Sequence, residues 1–177
     1  MKVLIAEDEA SISMQYYLVL KERGHEVTIT DNGEDCLSQY ATAIDQLSDM
    51  TDNASKAGSV PPFDLVILDY RMPRMDGLDA AREILRICPR QRLMFASAYT
   101  AQTLLEAVKG LHKVVELLQK PFDLEYFVDA VEDKALYEQL ERLNVRVREL
   151  RDHNITHSEL IDLLAGVQKL QNMVING

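Results

Sequence analysis

Apolar residues fall in five short runs over the first 120 positions, and polar or glycine-bearing positions end each of them. Residues 2–6 (KVLIA) stop at Glu7-Asp8-Glu9, and residues 25–30 alternate enough to form a second strand. The run from Phe63 to Tyr70 is apolar almost throughout and carries a carboxylate near its end, with its strand core at 65–68. A Val/Ile/Leu run of this kind predicts a strand buried on both faces. Residues 93–97 and 114–118 complete the five.

Between the runs the period changes to that of a helix. Residues 10–23 place Ile12, Tyr16, Leu18, Val19 and Leu20 on a helical repeat closed by Gly24. Asn32-Gly33 turns into a helix from about Glu34, with Leu37, Tyr40, Ala41, Ile44 and Leu47 three and four apart. Further helices are predicted from Asp76 or Gly77 to Ile87, where Pro89 forbids much continuation, over 101–108 before Gly110, and after Lys120-Pro121-Phe122. Strands alternating with helices at this spacing predict a doubly wound, five-stranded parallel α/β sheet, with five βα units in about 135 residues.

Two segments stand outside this pattern. Residues 49–62 are rich in Asp, Asn, Ser, Ala, Gly and Pro, and read as a long surface loop inserted before the third strand. Residues 134–177 are expected to form a helical extension into which the last helix of the sheet domain runs directly. Leu136, Leu140, Leu143, Val147 and Leu150 repeat at 4, 3, 4, 3, a heptad seam of slightly more than two repeats. The seam breaks where Asn154 and His157 would enter it, and Thr156-His157-Ser158-Glu159 reads as a capping box. A second stripe then follows, Leu160, Leu163, Val167, Leu170 and Val174. Two such helices either fold as a hairpin or pair with a second chain, and a homodimer is expected.

Composition narrows the function classes. The net charge of −10 lies entirely in residues 1–133, while 134–177 carry equal numbers of each sign. That acidity disfavours nonspecific nucleic-acid binding. The two cysteines, Cys36 and Cys88, lack Cys-x-x-Cys spacing, so a reducing cytoplasm is expected. No apolar stretch of 18 residues and no signal-like leader is seen, so neither a membrane span nor secretion is expected.

The chemistry lies at the strand ends. Glu7 and Asp8 follow the first strand, Asp69 the third, Ser97 the fourth and Lys120 the fifth. In a parallel sheet these ends point the same way and converge in one crevice. Three carboxylates brought together repel unless a cation joins them, and Mg²⁺ suits an all-oxygen set. A lysine and a hydroxyl at the same rim would meet the oxygens of a phosphoryl group, with Asp69 as its nucleophilic acceptor. No glycine-rich Walker-type loop is present, so a nucleotide is not the obvious donor. His25, His112 and His157 lack ligand spacing and read as surface residues, while Met72 and Met75 read as core or lid packing.

These residues resemble the receiver domain of two-component response regulators, a CheY-like, flavodoxin-like (βα)5 fold, over residues 1–133. Lys2-Val3-Leu4-Ile5-Ala6-Glu7-Asp8-Glu9 looks like its first strand and acidic pair. Asp69-Tyr70-Arg71-Met72-Pro73-Arg74-Met75-Asp76-Gly77 looks like its phosphoacceptor segment, Ser97-Ala98 like its hydroxyl-plus-small pair, and Lys120-Pro121-Phe122 like its lysine and cis proline. The resemblance implies that Asp69 takes a phosphoryl group from a sensor histidine kinase, a phosphotransfer protein or a small donor. It further implies Mg²⁺ on Asp8, Asp69, the Arg71 carbonyl and, through water, Glu7. Ser97 would swing toward the phosphoryl group, Lys120 would pair with it, and the domain would dephosphorylate itself. Arg71 and Tyr99 match positions that tune the lifetime of that group.

Leu117 departs from the pattern: three before the lysine the family usually places an aromatic switch residue, and leucine has neither its shape nor a hydroxyl. The expected function is a phosphorylation-dependent regulator that acts through protein contacts or dimerisation on a downstream protein, with no DNA-binding output domain. The competing reading is a constitutive dimeric scaffold or adaptor whose pocket is largely vestigial. A phosphoester hydrolase would need a cap that residues 49–62 are too short and polar to build.

Overall fold

The structure, a computed structural model, describes residues 1–50, 60–111 and 115–133. Five strands, β1 (Lys2–Ala6), β2 (Glu26–Thr30), β3 (Leu65–Leu68), β4 (Leu93–Ser97) and β5 (Glu116–Gln119), alternate with five α-helices among the described residues. These are α1 (Ala10–Glu22), α2 (Gly33–Met50), α3 (Gly77–Ile87), α4 (Ala101–Val108) and α5 (Leu124–Glu132). All pairings are parallel, in the order β2-β1-β3-β4-β5.

The central strands are apolar on both faces because both faces are covered. Side chains alternate across the sheet with period two. Leu4, Val66, Leu68, Leu93 and Phe95 face a core built with Tyr40 of α2 and Ala80 and Ile84 of α3. Val3, Ile5, Leu65, Ile67 and Met94 face the opposite core, with Tyr16 and Leu20 of α1 and Phe127 and Val131 of α5.

The helix ends obey local rules. α1 closes on Gly24 at φ +79°, where the Gly24 N–H bonds the Lys21 carbonyl and the His25 N–H reaches Leu20. These two bonds satisfy carbonyls that the last turn leaves open. Asp76, Thr100 and Asp123 cap α3, α4 and α5, each side chain accepting a backbone N–H of the first turn.

Four details differ from expectation. β5 occupies 116–119 rather than 114–118, because pairing with Met94–Ser97 of β4 sets its extent and carries polar Gln119 into the ladder. α2 runs to Met50, past the expected start of the loop; residues 51–59 of that segment lie outside the described residues. His25 is not a surface residue: its side chain is only 9% exposed, with Nε2 3.0 Å from Glu132 Oε1. α5 does not run straight on, since it ends at Glu132 and Asp133 takes φ −78°, ψ 62°. The tail stripes, His112 and His157 lie outside the described residues.

A buried ion pair closes the sheet at its amino edge. Arg92, immediately before β4, bonds both carboxylate oxygens of Glu116 on β5 at 2.9 Å, and its guanidinium donates to the Ala130 and Val131 carbonyls of α5. Burial outweighs this pairing and pushes the Glu116 carboxyl up to about 7.

Candidate functional site

At the carboxyl edge the strand ends converge. Glu7 and Asp8 leave β1, Asp69 leaves β3 with its N–H bonded to the Ala6 carbonyl at 2.9 Å, and Lys120 leaves β5 with its N–H bonded to the Ser97 carbonyl at 2.8 Å. One carboxylate oxygen from each of Glu7, Asp8 and Asp69 lies within 4.8 Å of the others. Glu7 is 2% exposed, Asp69 is partly buried and Asp8 is open to solvent. Lys120 Nζ sits 2.5 Å from Glu7 Oε2 and 3.3 Å from Asp69 Oδ2.

This set is electrostatically uneven. Burial raises the Glu7 carboxyl above the ordinary carboxylate range, and neighbouring Asp69 adds to the rise against the lowering pull of Lys120. Three clustered carboxylates with one ammonium retain an excess of negative charge and unused oxygen lone pairs. That donor set fits a hard divalent cation with oxygen ligands, Mg²⁺ before any softer metal. Tyr16, stacked 4.4 Å from Phe127 and 5.9 Å from Phe122, feels the same charge. Its phenol is raised by burial and then by Glu7, Asp69 and Glu9.

Ser97 completes the rim in an unusual condition. It is buried, and its Oγ has no hydrogen-bond partner. Buried hydroxyls are rarely left so, and an orphaned one at the edge of an acidic crevice fits a group that arrives there. Asp69 itself accepts from the Tyr70 N–H through Oδ1 at 2.6 Å.

The acceptor loop is held by contacts that sequence reasoning passed over. Gly77 opens α3 directly against the end of β3, and a Cβ there would collide with the Asp69 carbonyl oxygen. In the sequence this glycine closes the Asp69–Gly77 segment. Arg74 takes φ +65° and bonds Asp31 at 3.0 Å and Asp35 at 2.8 Å, tying the loop to the start of α2. Asn32 and then Arg74 hold the Asp35 carboxyl below the usual range. The Gly33 N–H adds a bond to the Met75 carbonyl.

The remaining sequence-selected residues divide into two groups. Arg71 and Tyr99 lie together: the Tyr70 and Tyr99 rings meet edge to face at 5.3 Å, and the Arg71 guanidinium lies 5.3 and 5.9 Å from their centroids. Leu117 is apart from them on β5, paired with Phe95 and packed half-buried against the core. Met72 and Met75 pack against the same core, and the Lys120–Pro121 bond is cis. Among the described residues no helix is long and apolar enough to cross a membrane.

Comparison with known proteins agrees with this geometry. The family model described as response regulator receiver domain matches residues 3–132. The transcriptional regulatory protein PdtaR of Mycobacterium tuberculosis is 35% identical over 133 residues, covering 74% of this chain and 55% of that protein. The chain therefore spans about half the length of that relative. The chemotaxis protein CheY of Thermotoga maritima is 29% identical over 132 residues, covering 73% of this chain and 93% of that one. The solved structure of the response regulator TrrA of Thermotoga maritima, in complex with Mg²⁺ and BeF, aligns with a TM-score of 0.54 at 25% identity, covering 73% and 97%.

Proposed function

The chain belongs to the response regulator receiver domain family, and from that premise we propose that it is a phosphorylation switch with Asp69 as acceptor. The observation that carries the reading is the convergence of Glu7, Asp8 and Asp69 within 4.8 Å, with the Lys120 ammonium against two of them. A carboxylate oxygen of Asp69 attacks phosphorus, forming an O–P bond as the donor's P–N or P–O bond breaks. The donor leaves with the bonding electron pair; a histidine donor also takes up a proton, whereas the carboxylate of a small acyl phosphate leaves as the anion. Hydrolysis reverses the state: water attacks phosphorus and the Asp69 carboxylate leaves.

Asp8, Asp69, the Arg71 carbonyl and, through water, Glu7 would hold Mg²⁺, which neutralises charge on the transferring oxygens. Lys120 pairs with the phosphoryl group, and the Ser97 hydroxyl, buried without a partner, donates to it. Arg71 and Tyr99, exposed beside the acceptor, set how readily water reaches it. The donor is a sensor histidine kinase or phosphotransfer protein, as expected of the family. The output runs through protein contacts or dimerisation by residues 134–177.

Acetyl phosphate or beryllofluoride with Mg²⁺ tests this. Wild type should gain one phosphoryl mass or bind the fluoride, and Asp69→Asn should do neither. An unmodified wild type under saturating donor would exclude the reading. Leu117, apolar and packed half-buried against the core, favours the second reading of a constitutive dimeric scaffold. An oligomeric state and partner affinity unmoved by bound beryllofluoride would select it.

A further inference from the structure

We infer that the Tyr70–Tyr99 ring pair, with Arg71 over both rings, carries the state of Asp69 to the first turn of α4. This rests on Asp69 as phosphoacceptor, and the geometry extends it outward. The Tyr70 N–H donates to Asp69 Oδ1 at 2.6 Å. That bond is charge-assisted while Asp69 is a carboxylate, and bonds of this kind are roughly twice as strong as neutral ones. Converting the carboxylate to an acyl phosphate removes its charge and loosens the hold on the Tyr70 backbone.

The other loop responds at the same moment. Ser97 Oγ is buried with no partner, so a phosphoryl oxygen placed in the crevice is the acceptor it lacks. Turning toward it draws in the chain that follows, and Tyr99 is two residues on. The two backbones that the phosphoryl group displaces are thus those bearing the two rings. The rings already touch, 5.3 Å apart at 74°. The Arg71 guanidinium spans both at 5.3 and 5.9 Å, so the pair moves as one unit.

The path continues into a helix. Thr100 follows Tyr99 and caps α4, its Oγ1 accepting the Thr103 N–H at 3.3 Å. A displaced Tyr99 therefore alters the cap and first turn of α4. Leu117 packs half-buried against the core on β5 and offers no polar group to this path. Tyr99, 40% exposed, should become less so in the phosphorylated state.

Hydrogen exchange of the full chain, with and without Mg²⁺ and beryllofluoride, tests the inference. Beryllofluoride is not hydrolysed, so changes in phosphoryl lifetime do not enter. Bound fluoride is followed separately by ¹⁹F NMR. Wild type should bind, and exchange at residues 98–104 should slow at least fivefold. Tyr70→Leu and Tyr99→Leu should bind yet lose most of that slowing, while Tyr70→Phe and Tyr99→Phe keep it. Leucine variants that bind and still show the full slowing would overturn the link. Leucine variants that no longer bind would place the rings in the acceptor site itself, which also overturns it. A wild type without bound fluoride would instead bring down the reading of Asp69.

Discussion

Lys120 is closer to Glu7 than to Asp69, 2.5 Å against 3.3 Å. The ammonium is thus committed first to the most buried carboxylate of the site and only secondarily to the acceptor. Phosphorylation at Asp69 offers it a stronger partner, so the lysine exchanges one anion for another rather than gaining its first.

Replacing the lysine separates its two effects on the site. Lys120→Met removes a cation that competes with Mg²⁺ for two of the three carboxylates, Glu7 and Asp69. Mg²⁺ affinity is expected to rise about tenfold, an electrostatic gain of roughly 1–2 kcal/mol at these separations. Without metal the variant should lose about 2 kcal/mol of stability, since Glu7 is left buried without its partner. Calorimetric titration with Mg²⁺ and urea unfolding measure the two, and unchanged or weaker Mg²⁺ binding would reject the competition.

Ser97→Ala makes the opposite kind of change. The hydroxyl is buried with no partner, so the resting fold gains nothing from it. Stability should stay within about 0.5 kcal/mol of wild type or rise slightly. The beryllofluoride-induced change should fall sharply. A large loss of stability would mean that the hydroxyl already serves the resting state.

Gly77→Ala is expected to lose about 2–3 kcal/mol, because the new methyl group meets the Asp69 backbone, which cannot give way as a side-chain tip can. Acceptor reactivity should fall with it, since the strand end that aims Asp69 is displaced. Gly110→Ala, where a Cβ meets nothing within 4 Å, is the control. Thermal unfolding of the two should differ plainly; equal effects would show that the close approach at Gly77 relaxes without cost.

The parts legible from sequence were those in which one physical requirement dominates. β1, β3 and β4 are covered on both faces, so continuous apolar runs marked them, and parallel order then brought Glu7, Asp8, Asp69, Ser97 and Lys120 to one edge. β5 starts two residues and ends one residue later than its apolar run predicts, because the ladder with β4 sets its extent and hydropathy does not report backbone pairing. His25 looked like a surface residue because its partner Glu132 is 107 positions away. The Tyr70–Tyr99 contact and the bonds of Arg74 to Asp31 and Asp35 were hidden for the same reason. Each joins loops that only the completed fold brings together.

Glu116 gives the fold a pH dependence of definite sign. Its proton is held up to about 7 in the folded chain and lost near the ordinary 4.5 when unfolded; burial raises the folded value, Arg92 lowers it and Asp133 adds a smaller rise. Between those two values the folded state binds more protons, so stability falls as pH rises through that window. The fall should be on the order of 3 kcal/mol, and Glu116→Gln should flatten it. Urea unfolding at half-unit steps from pH 4.5 to 8 gives the slopes, and identical slopes in the two proteins would remove Glu116 as the cause.

The end of α5 decides whether residues 1–133 stand alone. Its last carbonyls are not left for a following helix to satisfy: the Ala130 and Val131 oxygens accept from Arg92, and the Asp129 oxygen accepts from the Asp133 N–H at 3.0 Å. Glu132 is held by His25 and Arg23 at the end of α1. With these three carbonyls met from within the domain, the last turn is held by residues up to Asp133. A chain ending at Asp133 should therefore unfold cooperatively within about 1 kcal/mol of the full protein, an end effect of the size of one hydrogen bond. If residues 134–177 form the dimer contact, the shortened chain should scatter light as a monomer where the full chain scatters as a dimer. A shortened chain that remains dimeric would move that contact onto the receiver domain itself, and one that fails to fold would show that the Arg92 anchor is not sufficient.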